Sequence, residues 1–347
     1  MSNVPSIESS ALQALLPPGK LPAAFLQRLI TPYAHAQRNL ALGAGVGREA
    51  TVIELSDRLL IAKTDPITFV AENIGHYAVH LNANDVACMG GEPKWFLATL
   101  LLPEYETDEA FVEQIFQQIS SACEALAIAW CGGHTEITAA VTQPVVVGMM
   151  LGEAPLTRRY APAQIQPGDH ILLIKGLAVE ATAIIGRAKA SALAEIFESA
   201  FAKHCQSFLF DPGISVLPEA KLAWQVPGIH ALHDPAEGGL ANAVHELLAE
   251  KNLGVELNSA HILLFPETKL LCEQFNLDRL GLIASGALLV VGEAGACEQA
   301  LQQYHAANIA AALIGRVLPE GEGRWLIEDN ERHVLPRFQR DEVLRVL

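Results

Sequence analysis

The chain has 347 residues, of which 51% are hydrophobic, 18% charged and 6% aromatic; this excludes a disordered chain and allows one large core or two. With 23 basic against 39 acidic residues the formal charge is −16, a field that excludes a generic nucleic-acid binder and repels anionic membranes. A polyphosphate ligand would need its charge masked by a divalent metal or by local backbone N–H groups.

Met1 to Ala11 carries no basic stretch followed by an apolar one, so no signal or transit peptide is expected. No apolar run approaches the roughly 18 to 20 residues that span a bilayer. The richest run, Ile137 to Leu151, is interrupted by Thr142, Gln143 and Pro144. A cytoplasmic protein is expected. The six cysteines, Cys88, Cys123, Cys131, Cys205, Cys272 and Cys297, form no C-x-x-C pair and read as small buried apolar side chains.

In chain order, the first feature is Gly43-Ala44-Gly45-Val46-Gly47-Arg48-Glu49, with glycine at every second position before a strand. Such a loop can nest an anion or serve as a surface turn; without G-K-[ST] and a following helix it is neither a Walker loop nor a dinucleotide fingerprint. Ala50 to Leu55 and Leu59 to Ala62 read as a hairpin around Ser56-Asp57-Arg58. Gly75 to Met89 reads as a helix with Tyr77, Ala78, Leu81, Asp85 and Cys88 on one side and His76, His80 and Asn84 on another. Gly90-Gly91 ends it, and Trp95 to Leu102 reads as a buried strand. Thr107-Asp108 caps a long amphipathic helix reaching Leu126. The strand Ile128 to Cys131, a turn at Gly132-Gly133 and a strand Val145 to Leu151 follow.

A seam is expected at Ala161 to Pro167, dividing the chain into domains 1–161 and 162–347. Beyond it we expect a strand Ile171 to Ile174, helices Ala178 to Arg187 and Ser191 to Ala202, a strand Ile229 to Leu232, a helix Leu240 to Lys251 and a strand Leu288 to Gly292. Alternating strands and helices in both halves indicate an α/β (α+β) architecture.

Three groups could carry chemistry. Asp65, Asp85 with Asn82 one turn before it, and Glu136 after Gly132-Gly133-His134-Thr135 each end an apolar element, and converging carboxylates suit a hard cation such as magnesium. Each also has an ordinary reading as a turn, helix or surface residue. His233-Asp234-Pro235-Ala236-Glu237-Gly238-Gly239-Leu240 places a strand end before a helix N-terminus, either an anion site or a tight packing turn. Lys175, at a strand end, can steer phosphate or be solvated.

In combination these segments resemble the superfamily shared by aminoimidazole ribonucleotide (AIR) synthase, thiamine monophosphate kinase, selenophosphate synthetase and the hydrogenase maturation factor HypE. Ala62-Lys63-Thr64-Asp65, Asn82 to Pro93, Gly132 to Glu136, Gln166 to Leu173, His233 to Leu240, Ser285 to Leu289 and Ile314 to Val317 carry the resemblance in order, across roughly residues 40 to 320. It implies an N-terminal α/β domain that dimerises through its strands into a homodimer, a C-terminal α/β domain with mixed sheet and flanking helices, and ATP bound with Mg2+.

By the same resemblance Asp65 and Asp85 would be metal ligands, with Glu49 and Glu136 as the further carboxylates this chain offers, and Asp65, Asp85 and His134 catalytic, joined by Lys175 from its place at a strand end. Gly43, Gly45, Gly47, Asn82, Gly132, Gly133, Thr135, Asp234, Gly238 and Gly239 would lie at the nucleotide. The implied activity is phosphorylation of an oxygen of a small-molecule substrate. An ATP-binding maturation or regulatory protein without turnover, with a maturation partner protein, is the alternative, and a thiamine monophosphate kinase-like enzyme a third reading.

The sequence also departs from the family pattern. Arg48-Glu49 replaces two acidic residues, His134 replaces an acid, no cysteine precedes Cys88, and none follows Cys297. Selenophosphate synthesis, and thiocyanate formation on a C-terminal cysteine, are therefore not expected.

Overall fold

The computed structural model describes residues 20–33, 39–157 and 164–347. The first half builds a six-stranded sheet from β1 (Leu40–Leu42), β2 (Thr51–Glu54), β3 (Leu59–Ile67), β4 (Glu92–Pro103), β5 (Ala129–Thr138) and β6 (Val145–Ala154), in the order β1-β2-β3-β6-β4-β5. Three helices accompany it: α1 (Ala23–Tyr33), α2 (Ile74–Cys88) and α3 (Glu109–Ala125). The expected hairpin is β2–β3, with Thr51 opposite Ala62 and Glu54 opposite Leu59.

The second half forms a seven-stranded sheet in the order β13-β12-β9-β11-β7-β10-β8. Its strands are β7 (His170–Ile174), β8 (Ile229–His233), β9 (Leu253–Asn258), β10 (Leu288–Gly292), β11 (Ala311–Glu320), β12 (Arg324–Glu328) and β13 (Glu331–Val334). Its helices are α4 (Val179–Ala188), α5 (Ala190–Ile196), α6 (Ser199–Ser207), α7 (Leu217–Ala223), α8 (Gly239–Leu247), α9 (Pro266–Phe275) and α10 (Ala294–Ala306). Both sheets are mixed: β4–β5 and β9–β12 pair parallel, the other pairs antiparallel. Residues 161–163 of the expected seam lie outside the described residues. Among the described residues no helix is long and apolar enough to cross a membrane.

Helix α2 is central. The sequence suggests one apolar side, yet nearly every residue from Ile74 to Cys88 is buried, His80, Asn82, Asn84 and Asp85 included. The reason is its position: α3, β3, β4 and β6 surround it from the first half, and α7 and β8 from the second. A helix enclosed on all sides needs no polar stripe.

Three expectations are corrected. Gly132 and Gly133 are not a turn but lie inside β5, which runs on to Thr138. Gly133 has φ 147°, and a Cβ there would stand 1.8 Å from the Ala98 carbonyl oxygen, so glycine allows a close crossing beside the register shift at Phe96/Leu97. The helix expected from Ser191 to Ala202 is two, α5 and α6, broken where Glu198 adopts φ 87°. Cys131 is exposed on β5, whereas Cys88, Cys123, Cys205 and Cys297 are buried.

Helix α3 begins as its sequence indicates, with the Asp108 carboxylate accepting from the Phe111 N–H at 2.8 Å. Removing that cap orphans one backbone donor. Asp108→Ala is expected to cost about 1 kcal/mol, read as a lower urea midpoint at unchanged m-value.

Candidate functional site

The ends of β3 and β8 and the C-terminal half of α2 meet at a cleft of about 450 Å3. Along β3 successive side chains alternate, so Lys63 and Asp65 share a face and both line the cleft. Helix α2 contributes Asp85, the segment before β2 contributes Glu49, and the end of β8 contributes His233 and Asp234. Glu180 from α4, Ser285 from the turn before β10, and Lys20, Glu237 and Glu246 complete the polar lining, and Ile67, Phe69, Val70, Leu81 and Ile283 the apolar part.

The polar groups are tightly connected. Lys63 Nζ lies 2.8 Å from Asp85 Oδ2. The Glu49 carboxylate contacts His233 Nδ1 and accepts from the Asp234 N–H at 3.3 Å. Burial alone would raise the Glu49 carboxyl, but the charge and hydrogen bond of His233, with Lys63 and a hydrogen bond from Asp85, together hold Glu49 down at about 2, while His233 is raised in turn. Asp85 is pushed up by burial and by negative Glu49 and Asp65, against the pull of Lys63. Burial opposes charge on Lys63, yet Asp85, Asp65 and Glu49 together keep the ammonium protonated. The centre is therefore short of positive charge.

On the far side, Glu180, Asp234 and Ser285 are 3%, 5% and 1% exposed. Glu180 Oε2, Asp234 Oδ1 and Ser285 Oγ are buried without a hydrogen bond of ordinary length, although the Ser285 hydroxyl lies near enough to Glu180 to act on its carboxyl. Burial pushes the Glu180 carboxyl up to about 8, with the Ser285 hydroxyl pulling down and Asp234, Asp341 and Asp65 adding to the rise.

In the unfolded chain the Glu180 carboxyl ionises near its ordinary 4.5, so the unfolded state releases this proton first and stability falls as pH rises from there towards 8. Glu180→Gln removes the effect. It is expected to match the parent at pH 4 and to exceed it by on the order of 4 kcal/mol at pH 8.5, as measured by urea unfolding at the two pH values.

Of the sequence-derived residues, Asp65, Asp85, Glu49 and Asp234 come together in this cleft. Asn82 lies beneath it, fully buried, its Nδ2 donating to the Asp65 carbonyl at 3.4 Å and the Ala78 carbonyl at 2.9 Å; it positions the Asp65 backbone and does not face a ligand. Gly132, Gly133, His134, Thr135 and Glu136 lie on β5, the outermost strand, three strands from β3 and thus about 14 Å away. His134 and Glu136 are 66% and 52% exposed in their side chains, 3.4 Å from each other.

Lys175 is absent from the cleft lining; its ammonium donates to the carbonyls of Gly213 at 3.0 Å and Ser215 at 2.6 Å. Gly45 lines a neighbouring cavity with Arg48, His245, Arg324 and Arg337. Gly47, at φ 76°, packs where a Cβ would stand 2.2 Å from the Glu246 carbonyl oxygen, and Gly43 abuts Leu40. At α8 the Gly238 N–H donates to Asp341 Oδ2 at 2.7 Å, and the Ala241 N–H donates to the Leu280 carbonyl at 3.0 Å. Two of the donors at that helix start are therefore satisfied within the chain, and Gly239 serves close packing, a Cβ there lying 2.6 Å from two carbonyl oxygens.

Sequence reasoning assigned no role in the site to Lys63, His233, Glu180, Ser285 or Asn84, although His233 opens the segment read as an anion site or packing turn and Lys63, Asn84 and Ser285 stand in segments that carry the resemblance. The roles of the first four show only in their places in the cleft, and that of Asn84 in the bonds it makes across the two halves.

The all-oxygen donor set of Glu49, Asp65 and Asp85 and its shortage of positive charge suit a hard cation that also draws ligands from phosphates. Among the described residues no three His, Cys, Asp or Glu side chains already surround one point as a metal cage does; beside Asp85 that place is held by Lys63. The fit is to an ion carried by its nucleotide, not to a preformed cage.

Comparison with known proteins agrees with this architecture. The model of the AIR synthase related protein N-terminal domain matches residues 47–154, and that of the C-terminal domain residues 166–327. Carbamoyl dehydratase HypE of Escherichia coli is 27% identical over 277 residues, covering 78% of this chain and 79% of that protein. A HypE–HypF complex superposes with TM-score 0.72 at 18% identity, over 91% of this chain and 100% of the other. HypE in complex with ATP gives TM-score 0.70 at 21% identity, over 86% and 90%. AaThiL complexed with AMPPCP and TMP gives 0.66 at 21%, over 84% and 90%. The three structures share the fold, and both family domains are present in order. The chain belongs to the AIR synthase-related family and is one of its HypE-like members.

Proposed function

We propose that this protein is a Mg2+-ATP-dependent enzyme that phosphorylates an oxygen of a small acceptor. The observation that carries the reading is the convergence of Glu49, Asp65 and Asp85 with Lys63 and His233 in one cleft. Similar folds solved with ATP or with AMPPCP support it. Asp65, Asp85 and Glu49 would hold the Mg2+ that accompanies ATP, and the ion, when bound, would neutralise triphosphate charge. Phosphoryl transfer asks the protein mainly for positioning and charge neutralisation. Here Asn82 fixes the Asp65 backbone, His233 keeps Glu49 ionised, and the apolar wall of Ile67, Phe69, Val70 and Ile283 limits water. Glu180, Ser285 and Asp234 offer their buried polar atoms to the acceptor.

Residues 1–161 would form the nucleotide-binding and dimerising domain and 162–347 the second domain. The outermost strand β5, with Ile137 exposed on it and Met149 exposed on β6, supports a homodimer through the N-terminal strands. A cytoplasmic location without membrane or nucleic-acid partners accords with the charge of −16. The HypE–HypF complex supports a maturation partner protein.

A second reading, ATP binding without turnover, draws on Arg48. Its guanidinium bonds Glu250 at 3.1 Å and the Gly43 carbonyl at 3.1 Å, so no second carboxylate follows the glycines. Calorimetric titration of ATP with and without Mg2+, followed by ADP measurement with candidate acceptors, separates the readings. Mg2+-dependent binding with acceptor-dependent ADP formation supports the enzyme. Binding with no ADP under any acceptor supports the second reading, and no binding at all removes both.

A further inference from the structure

Lys63 is an unusual neighbour for carboxylates that await a metal. Its side chain is 21% exposed, and its ammonium is 2.8 Å from Asp85 Oδ2. Asp65, two residues along the same strand face, and Glu49 act on the same ammonium. Glu49 is already matched by His233, so Asp65 and Asp85 face Lys63 with one negative charge left over. A free divalent ion would compete with the ammonium for Asp85 and would have to displace it. A divalent ion arriving with a triphosphate brings its own anions.

Resting on the reading of this cleft as a Mg2+-ATP site, we propose that Lys63 is a built-in cation of the centre. In the nucleotide-free protein it fills the position beside Asp85 and excludes a free divalent ion. Metal therefore enters only with the nucleotide, whose phosphates then share the lysine's charge. The role is one of positioning and charge selection, carried by a strand residue held against Asp85.

Mn2+ binding to the nucleotide-free protein, followed by the loss of the free-ion electron paramagnetic resonance signal, tests this without any turnover. The unaltered protein is expected to leave Mn2+ free at concentrations where Lys63→Met, which keeps the stem but leaves two uncompensated carboxylates, binds it at least tenfold more tightly. Lys63→Arg, which keeps the charge, is expected to exclude Mn2+ as the parent does. Equal affinity in the parent and Lys63→Met would overturn the proposal, as would Mn2+ capture by Lys63→Arg. Tight Mn2+ binding by the parent alone would overturn it even if Lys63→Met does not fold. Failure of the parent to bind Mg2+-ATP would instead remove the nucleotide reading, so the two failures are distinguishable.

Discussion

Asp85→Asn is expected to lower the affinity for Mg2+-ATP at least 100-fold, about 2.7 kcal/mol, while the fold persists. The substitution keeps the shape of the side chain and removes its charge. Asp85 sits in the last turn of a helix enclosed by both halves of the chain, so its carboxylate lines the cleft from a buried position. With it gone, Lys63 retains Asp65 and Glu49 as neighbours and is not left as an unmatched buried charge, which is why stability should change much less than binding. The comparison is calorimetric titration of both proteins with ATP at fixed Mg2+, alongside circular dichroism melts. Equal affinities would detach Asp85 from the metal-nucleotide site. Because the lost term is the charge facing the cation, affinity measured for ATP in the absence of Mg2+ should fall far less, or rise.

The parts of this site that the sequence made readable are those in which a local pattern and a chemical type coincide. Asp65 comes just after the apolar run Leu60-Ile61-Ala62, though β3 continues past it to Ile67, and Asp85 follows Asn82 by one helical turn; both could be proposed because the hairpin and the helix are short-range features. The same logic failed for Gly132-Gly133, where two glycines signal a turn but a close strand crossing over Ala98 uses them instead. Glu136 joins the aspartates because a carboxylate after an apolar run reads as a converging ligand, and His134 joins by resemblance, yet the strand order β3-β6-β4-β5 sets both apart from them in the sheet. Lys63 gains its meaning from Asp85, on a helix 22 positions later, through a contact that the strand's own pattern does not contain. His233 gains its meaning from Glu49, 184 positions earlier, through a contact no local window contains. Helix α2 was found, but its burial on all sides was not, because enclosure depends on how the two sheets meet. The strands β9, β11, β12 and β13 and the helices α7, α9 and α10 were not placed from the sequence, although Asp329-Asn330, both at positive φ, turn the β12–β13 hairpin and a proline opens each of α7 and α9.

The same enclosure makes Asn84 the residue whose loss should cost the fold most among those considered. Its amide is fully engaged: Nδ2 donates to the Ile214 carbonyl and to Asp234 Oδ2, both at 2.8 Å, and Oδ1 accepts from the Val216 N–H at 2.9 Å. One side chain on α2 thereby ties the first half of the chain to the segment before α7 and to the end of β8. Alanine would leave a buried N–H, a buried carbonyl and a buried carboxyl without partners, and each orphan costs about 1–3 kcal/mol. Burial already pushes Asp234 up to about 7 against the pull of the Asn84 amide, so loss of that donor should raise it further and favour its neutral form. Asn84→Ala is expected to lower unfolding stability by about 3–5 kcal/mol and to weaken nucleotide binding through displacement of Asp234. Part of the loss is specific to the pair, so in a double-mutant cycle with Asp234→Ala the two changes should fall short of additivity by about 1–2 kcal/mol. Urea unfolding of the four proteins measures both quantities. A loss below 1 kcal/mol for Asn84→Ala, or strict additivity, would show that the halves are joined at this point by packing and not by the amide.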